Sequence, residues 1–151
     1  MCPVAYAANV ESAIGEMQKQ EIAIVVIDVE FGQNQLTSML KLLKQENPQI
    51  LTIVVTSASD SELVIDLINQ AQIFRFLNKP VSVALMRNHL EAAFKRYLAY
   101  KKAPELVRTQ KVEVVEKDRE SDFGKSMVDR FGAIRERWRA KAASAGGRQR
   151  K

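Results

Sequence analysis

Apolar residues in the first hundred positions fall into short continuous runs separated by segments with helical periodicity. The runs are Val4–Ala8, "AIVVID" at 23–28, "ILTIVVTSA" at 50–58 and "IFRFLNKP" at 73–80. Short apolar runs without alternation are typical of strands that are buried on both faces, as parallel sheets require. The pattern therefore predicts four strands, each followed by a helix.

The segments between the runs carry helix signals. Asn9 is expected to cap a helix that continues to about Gln20. "QLTSMLKLLKQ" has apolar residues at helical spacing and should end near Asn47–Pro48. Further helices are expected in "SELVIDLINQA" and from about 83 to 100. Alternating strands and helices predict an α/β fold in which a parallel sheet has helices on both faces.

The character of the sequence changes after residue 100. Residues 101–120 are predicted to be a linker, in which "KVEVVEKD" at 111–118 could form a short strand or stay extended. Residues 121–143 are predicted to form an amphipathic basic helix, and residues 144–151 a disordered basic tail. The apolar stripe of that helix consists of Phe123, Met127, Phe131, Ile134 and Trp138.

This last helix has three possible roles. Its stripe could cover the chain's own domain, pair with a second copy, or lie on an anionic membrane with Arg135 and Arg139 at the rim. Of the net charge of +5, residues 118–151 carry +5 (ten basic against five acidic residues) and residues 1–100 carry −2 (eight against ten). A basic tail can also add non-specific contacts to nucleic acid, so residues 118–151 are the expected place for any anionic partner.

Composition excludes several classes of protein. At 151 residues the chain has room for one domain and an appendage. One cysteine, Cys2, and one histidine cannot build a disulfide framework or a zinc site. There is no apolar stretch of membrane-spanning length and no recognisable secretory signal. The expected location is the cytoplasm.

Polar residues follow three of the predicted strands. Asp28, Thr56 and Lys79 each stand at a strand's carboxyl end, and these ends meet at one edge of a parallel sheet. A carboxylate can accept a phosphoryl group as an acyl phosphate, while a hydroxyl and an ammonium can hold the phosphoryl oxygens. Lys79 taken alone would more simply be a surface lysine in a loop, but the three residues together predict a phosphoryl-handling site.

Residues 4–100 resemble the receiver domain of response regulators. "IAIVVID" resembles its phospho-acceptor strand and "TIVVTSA" its switch strand. "INQAQIFRFLNKP" is similar to receivers attached to cyclic-dinucleotide phosphodiesterase domains. The resemblance implies a flavodoxin-like sheet, with Asp28 as phospho-acceptor, Thr56 as switch hydroxyl, Phe76 as rotating aromatic residue and Lys79 as phosphate-sensing cation.

The sequence also departs from this family. Its members open with a further strand and helix, and that strand ends in an acidic pair that binds Mg²⁺. No adjacent acidic pair precedes Asp28 here, so Mg²⁺ would depend on Asp28 and Glu30 and should bind weakly. The fold is therefore predicted to be a receiver truncated at its N-terminus. The missing central strand should leave an edge that residues 111–118, a partner's strand or a second copy could fill.

These observations predict a non-enzymatic, degenerate receiver that acts in two-component signalling through protein–protein interaction. Its expected partner is a histidine kinase or an output domain, and a homodimer is possible. Two alternatives remain open at this point. Asp28 could be a working phospho-acceptor, or the basic tail could make the protein an adaptor for nucleic acid or membrane.

Overall fold

A parallel sheet of three strands forms the centre of the described part of the protein, which in this computed structural model comprises residues 2–29, 33–57, 65, 67–108 and 119–146. The strands are β1 (Ile24–Val29), β2 (Leu51–Thr56) and β3 (Arg75–Asn78), in the order β1-β2-β3. All six residues of the middle strand β2 are buried, as its apolar sequence predicts. The predicted parallel sheet with flanking helices is confirmed.

Helices precede, connect and follow the strands. They are α1 (Val10–Lys19), α2 (Gln33–Glu46), α3 (Val83–Lys102), α4 (Glu105–Arg108) and α5 (Asp122–Gly146), and residues 65 and 67–69 are also helical. Asn9 caps α1 as predicted, because its Oδ1 accepts the backbone N–H of Ser12 at 2.8 Å. The hydroxyl of Ser82 caps α3 by accepting the backbone N–H of Leu85 at 3.1 Å.

The strand predicted at 4–8 is wrong. Residues 2–7 have neither helical nor strand structure, and the side chains of Val4 and Tyr6 are 93% and 87% exposed. A strand forms only where its backbone groups have a ladder to join, and this segment has none within the described residues. The alanines of this segment also have little apolar surface, so packing it against the domain would contribute little hydrophobic free energy.

The two faces of the sheet carry separate cores. Val25, Ile27 and Val29 of β1 point towards α1, α2 and α5, and the apolar cluster that they form with these helices is the first core. Ile24 points to the other face, towards α3, as strand alternation requires. On the α3 side, β2 packs against the helix. The buried residues of that second core are Leu51, Ile53, Val55, Leu77, Ala93, Tyr97 and Tyr100.

Helix α5 packs along α2 and α1 and belongs to the first core. Met127, Phe131 and Ile134 are buried there, and Phe123 and Trp138 are partly buried. The indole N–H of Trp138 donates to the backbone carbonyl of Met17 at 2.9 Å. Of the three roles considered for this stripe, the structure therefore shows the first, which is cover for the chain's own domain.

Ion pairs fasten the same helix. The carboxylate of Glu46 is 9% exposed and accepts hydrogen bonds from Arg119 at 2.7 Å and Arg135 at 3.1 Å. Arg130 contacts both carboxylate oxygens of Glu11, at 2.9 and 2.6 Å. Arg135 thus faces the domain rather than an external surface. The exposed Arg139 pairs with Glu136 on its own helix at 3.3 Å.

The predicted linker at 101–120 is partly helical. Helix α3 continues to Lys102, and α4 follows directly after Pro104. The possible strand at 111–118 lies outside the described residues, as do residues 147–151 of the predicted tail. Among the described helices, none is long and apolar enough to cross a membrane.

Candidate functional site at the carboxyl edge of the sheet

The carboxyl ends of β1 and β3 bring Asp28 and Lys79 into direct contact. The ammonium Nζ of Lys79 lies 2.7 Å from Oδ1 and 2.9 Å from Oδ2 of Asp28, although 51 residues separate them in sequence. The side chain of Asp28 is 63% exposed and that of Lys79 is 30% exposed. This edge therefore presents a solvent-facing ion pair that spans the ends of the sheet.

The position of Lys79 follows from its local sequence. Its backbone N–H donates to the carbonyl of Thr56 at 2.9 Å, which extends the β2–β3 ladder by one residue. The next residue is Pro80, which has no N–H to continue a ladder. The Lys79–Pro80 peptide bond is cis. Because Pro80 cannot continue the ladder, β3 ends at a point where the side chain of Lys79 can reach the end of β1.

Thr56 reaches the same edge, but its side chain lies on the other face. Asp28 is opposite Val55 in the ladder, and Val55 belongs to the core on the α3 side. Because side chains alternate along a strand, Thr56 points to the α2 side, where it is 1% exposed. The expected meeting of three groups therefore brings together Asp28 and Lys79, and leaves the Thr56 hydroxyl on the opposite face.

Phe76 lies below this edge, in the core. It is opposite Val54 in the β2–β3 ladder and packs, partly buried, against the first core. Its ring is on the same face as Thr56, since both positions alternate with Val55 and Leu77. The switch roles assigned to Thr56 and Phe76 remain predictions of the family resemblance.

Of the two expected magnesium ligands, the described residues include only Asp28. Glu30, one of the two expected ligands, lies outside the described residues. Elsewhere in the described ranges, no group of three His, Cys, Asp or Glu side chains lies close enough to hold a metal ion. Both oxygens of Asp28 already contact a cation, the Lys79 ammonium. The function proposed below includes no step that involves Mg²⁺.

A second polar cluster, which the sequence did not reveal, lies at the opposite end of the sheet. The phenol of Tyr97 donates to Glu21 at 2.5 Å, and Lys101 forms an ion pair with the same carboxylate. Burial and the neighbouring carboxylate raise the pKa of Tyr97. Burial alone would raise the pKa of Glu21, but the hydrogen bonds from Lys101 and Tyr97 outweigh it and lower that pKa.

This cluster ties the end of α3 to the start of β1. Glu21 and Tyr97 are 76 residues apart in sequence. A tyrosine and a lysine one turn apart on a helix are too common to signal such a contact. Only the packing of α3 on the sheet could have identified it.

Known proteins resemble this chain in sequence family and in fold. The family model described as the response regulator receiver domain matches residues 1–91, more than half of the chain. No curated protein matches the sequence. A solved structure described as that of adenylate cyclase from Rhodopirellula baltica is similar in fold, with a TM-score of 0.54 and 21% identity over 66% of this chain and 75% of that chain. The chain therefore belongs to the response regulator receiver domain family.

Proposed function

We propose that this receiver is a non-catalytic signalling module that works by binding a partner protein, without phosphorylation of Asp28. The observation that carries the proposal is the contact between the Lys79 ammonium and both oxygens of Asp28. Membership of the receiver family supports a role in two-component signal transduction. The general kind of partner for such a module is a kinase or an output domain.

The ion pair supports a receiver held in one state. A carboxylate that accepts a phosphoryl group needs a cation to offset the charge that gathers on the transferring group. Here the ammonium of Lys79 already neutralises Asp28, and the described residues supply no metal-binding cluster. The carboxylate at this edge is thus occupied by an ion pair, and in this proposal the signal lies in whether the partner is bound.

The surface that we assign to the partner flanks β3. Ile68, in the helical segment before β3, is 49% exposed, and Leu85, on the first turn of α3, is 42% exposed. Arg75 and Asn78 of β3 itself are also exposed. Exposed apolar side chains beside polar ones are the composition expected of a protein-binding surface.

Phosphorylation can be measured directly. The purified chain and Asp28→Asn are incubated with acetyl phosphate and Mg²⁺, and intact masses are recorded. We expect neither protein to gain the mass of a phosphoryl group. A gain in the wild type that Asp28→Asn abolishes would contradict the proposal.

Partner binding needs a separate experiment in the cells that make the protein. Proximity labelling compares the wild type with Asp28→Asn and Leu85→Glu. We expect Asp28→Asn to keep the partners of the wild type and Leu85→Glu to lose them. If Asp28→Asn loses the same partners, binding depends on the carboxylate and the proposed surface is wrong.

A second function, phospho-acceptance by Asp28, is favoured by one observation. The Asp28 carboxylate is 63% exposed at the edge, so a phosphoryl donor could reach it. In that case the Lys79 ammonium would contact the phosphoryl oxygens instead of the carboxylate. The mass experiment separates the two functions, because only this one yields an adduct.

A further inference from the structure

Helix α3 carries a second apolar stripe that the domain leaves uncovered. Its first stripe, centred on Ala93 and Tyr97, is buried against the sheet. On the neighbouring face, Val83 is 77% exposed, Phe94 39% and Leu98 43%. Three exposed apolar side chains along one side of a helix are more than isolated surface residues, and they mark a contact surface.

The stripe runs along the β1 side of the domain. Lys101 follows Leu98 by three residues, so the two share a helix face, and Lys101 pairs with Glu21 just before β1. Within the described residues, β1 pairs only with β2. The apolar side chain of Val26, in β1, is 46% exposed. We call the exposed face of α3, together with the neighbouring exposed Val26 of β1, the α3–β1 surface.

The same surface contains a hole of the kind that receives a side chain of another helix. An open depression of about 500 Å³ lies beside the first turns of α3, lined by Val83, Met86, Arg87 and Leu90 among others. These four positions are spaced i, i+3, i+4 and i+7. Four residues in this arrangement form the hole into which a facing helix inserts one knob residue.

We propose that the occupant of the α3–β1 surface is a second copy of this chain, packed through an antiparallel pair of α3 helices. In such a pair, Leu98 of each copy enters the depression on the other, and the two-fold axis passes between the helices near residue 92. One knob and one hole lie on the same helix on either side of this axis. The surface is thus complementary to itself, as a two-fold interface requires.

Charge at the rim agrees with this arrangement. Glu91 and Lys95 are both exposed and lie on the outer side of the stripe, away from the sheet. With the axis near residue 92, Glu91 of one copy faces Lys95 of the other, and the pair occurs twice. Opposite charges at the rim favour this register, because a parallel pairing in register would set like charges against each other.

Sedimentation equilibrium of the full chain tests the proposal. The wild type should approach twice its monomer mass of 17.0 kDa as concentration rises. Leu98→Glu should raise the dimer dissociation constant at least about 100-fold, since two knobs are lost and two charges enter the seam. A wild type that stays monomeric at every concentration reached would overturn the proposal and leave the surface to a different partner.

Leu85→Glu is the matched control. It changes the same residue type on the same helix at nearly the same exposure, 42% against 43%, but about 140° away around the helix. We expect it to leave the dimer intact. If Leu85→Glu dissociates the dimer and Leu98→Glu does not, the two copies meet on another face and the proposal is wrong.

Charge reversal adds a test that does not depend on the apolar variants. Glu91→Lys and Lys95→Glu should each weaken the dimer several-fold, and the double variant should restore it. Equal weakening in the double variant would refute the register. Circular dichroism verifies that each variant is folded, and Phe94→Glu replaces Leu98→Glu if the latter is not. The proposal does not depend on the state of Asp28, so it can fail while the proposed function stands.

Discussion

Replacing Ile134 with alanine tests whether α5 is an integral part of the domain. Ile134 is fully buried in the first core, between α5 and α2. The substitution removes three carbon atoms, which lowers the hydrophobic contribution by about 2.5 kcal/mol at roughly 0.8 kcal/mol for each carbon. The cavity that remains adds to this loss, so the free energy of unfolding should fall by about 3–4 kcal/mol.

Urea unfolding followed by circular dichroism gives the measurement. With a slope of about 2 kcal/mol/M, the expected loss moves the midpoint down by roughly 1.5–2 M. Ile68→Ala is the matched control, because Ile68 is also helical but 49% exposed. We expect Ile68→Ala to lower the free energy of unfolding by less than about 1 kcal/mol. Equal losses in the two variants would refute the packing of α5 against α2.

Two further predictions concern buried charges. Burial lowers the pKa of Lys44 to about 8, against about 10.4 in an unfolded chain. Between pH 8 and 10 the unfolded chain therefore binds more protons at Lys44 than the folded chain does. The free energy of unfolding should rise over this range by up to about 2–3 kcal/mol. Lys44→Met should lack this rise when urea midpoints are compared across the same pH range. Glu46→Ala should lower the free energy of unfolding by about 2–3 kcal/mol in the same assay, because it removes the buried carboxylate that Arg119 and Arg135 contact. Glu11→Ala is the control, and it should change the free energy of unfolding little because Glu11 is exposed.

The local pattern of apolar residues and caps predicted most elements. A helix forms its backbone hydrogen bonds within itself, and its apolar residues are spaced so that they lie on one buried side. The Asn9 cap and the apolar spacing of α1 and α2 appear in the structure close to where the sequence places them. The segment at 4–8 has an equally apolar pattern and still forms no strand. A strand forms only when an adjacent strand pairs with its backbone, and the sequence of one strand does not show which other strand lies beside it.

Part of the candidate site could also be predicted from the sequence, whereas another part depends on how the strands pair. The placement of Asp28 and Lys79 at strand ends follows from where β1 and β3 stop, and their contact follows from the parallel order of the strands. The face taken by Thr56 depends on ladder register. A shift of one residue would reverse it, and no local pattern specifies that register.

Amphipathic periodicity in residues 121–143 was sufficient to establish that a helix with one apolar face would form. It could not say what that face would cover, since an apolar stripe fits any apolar surface of similar shape. That choice belongs to the folded chain, in which Glu46, Glu11 and the carbonyl of Met17 stand where α5 can reach them. Periodicity indicates which side of a helix will be buried, because it depends only on residues close in sequence. The contacts of that side with distant segments are determined only when the whole chain is packed.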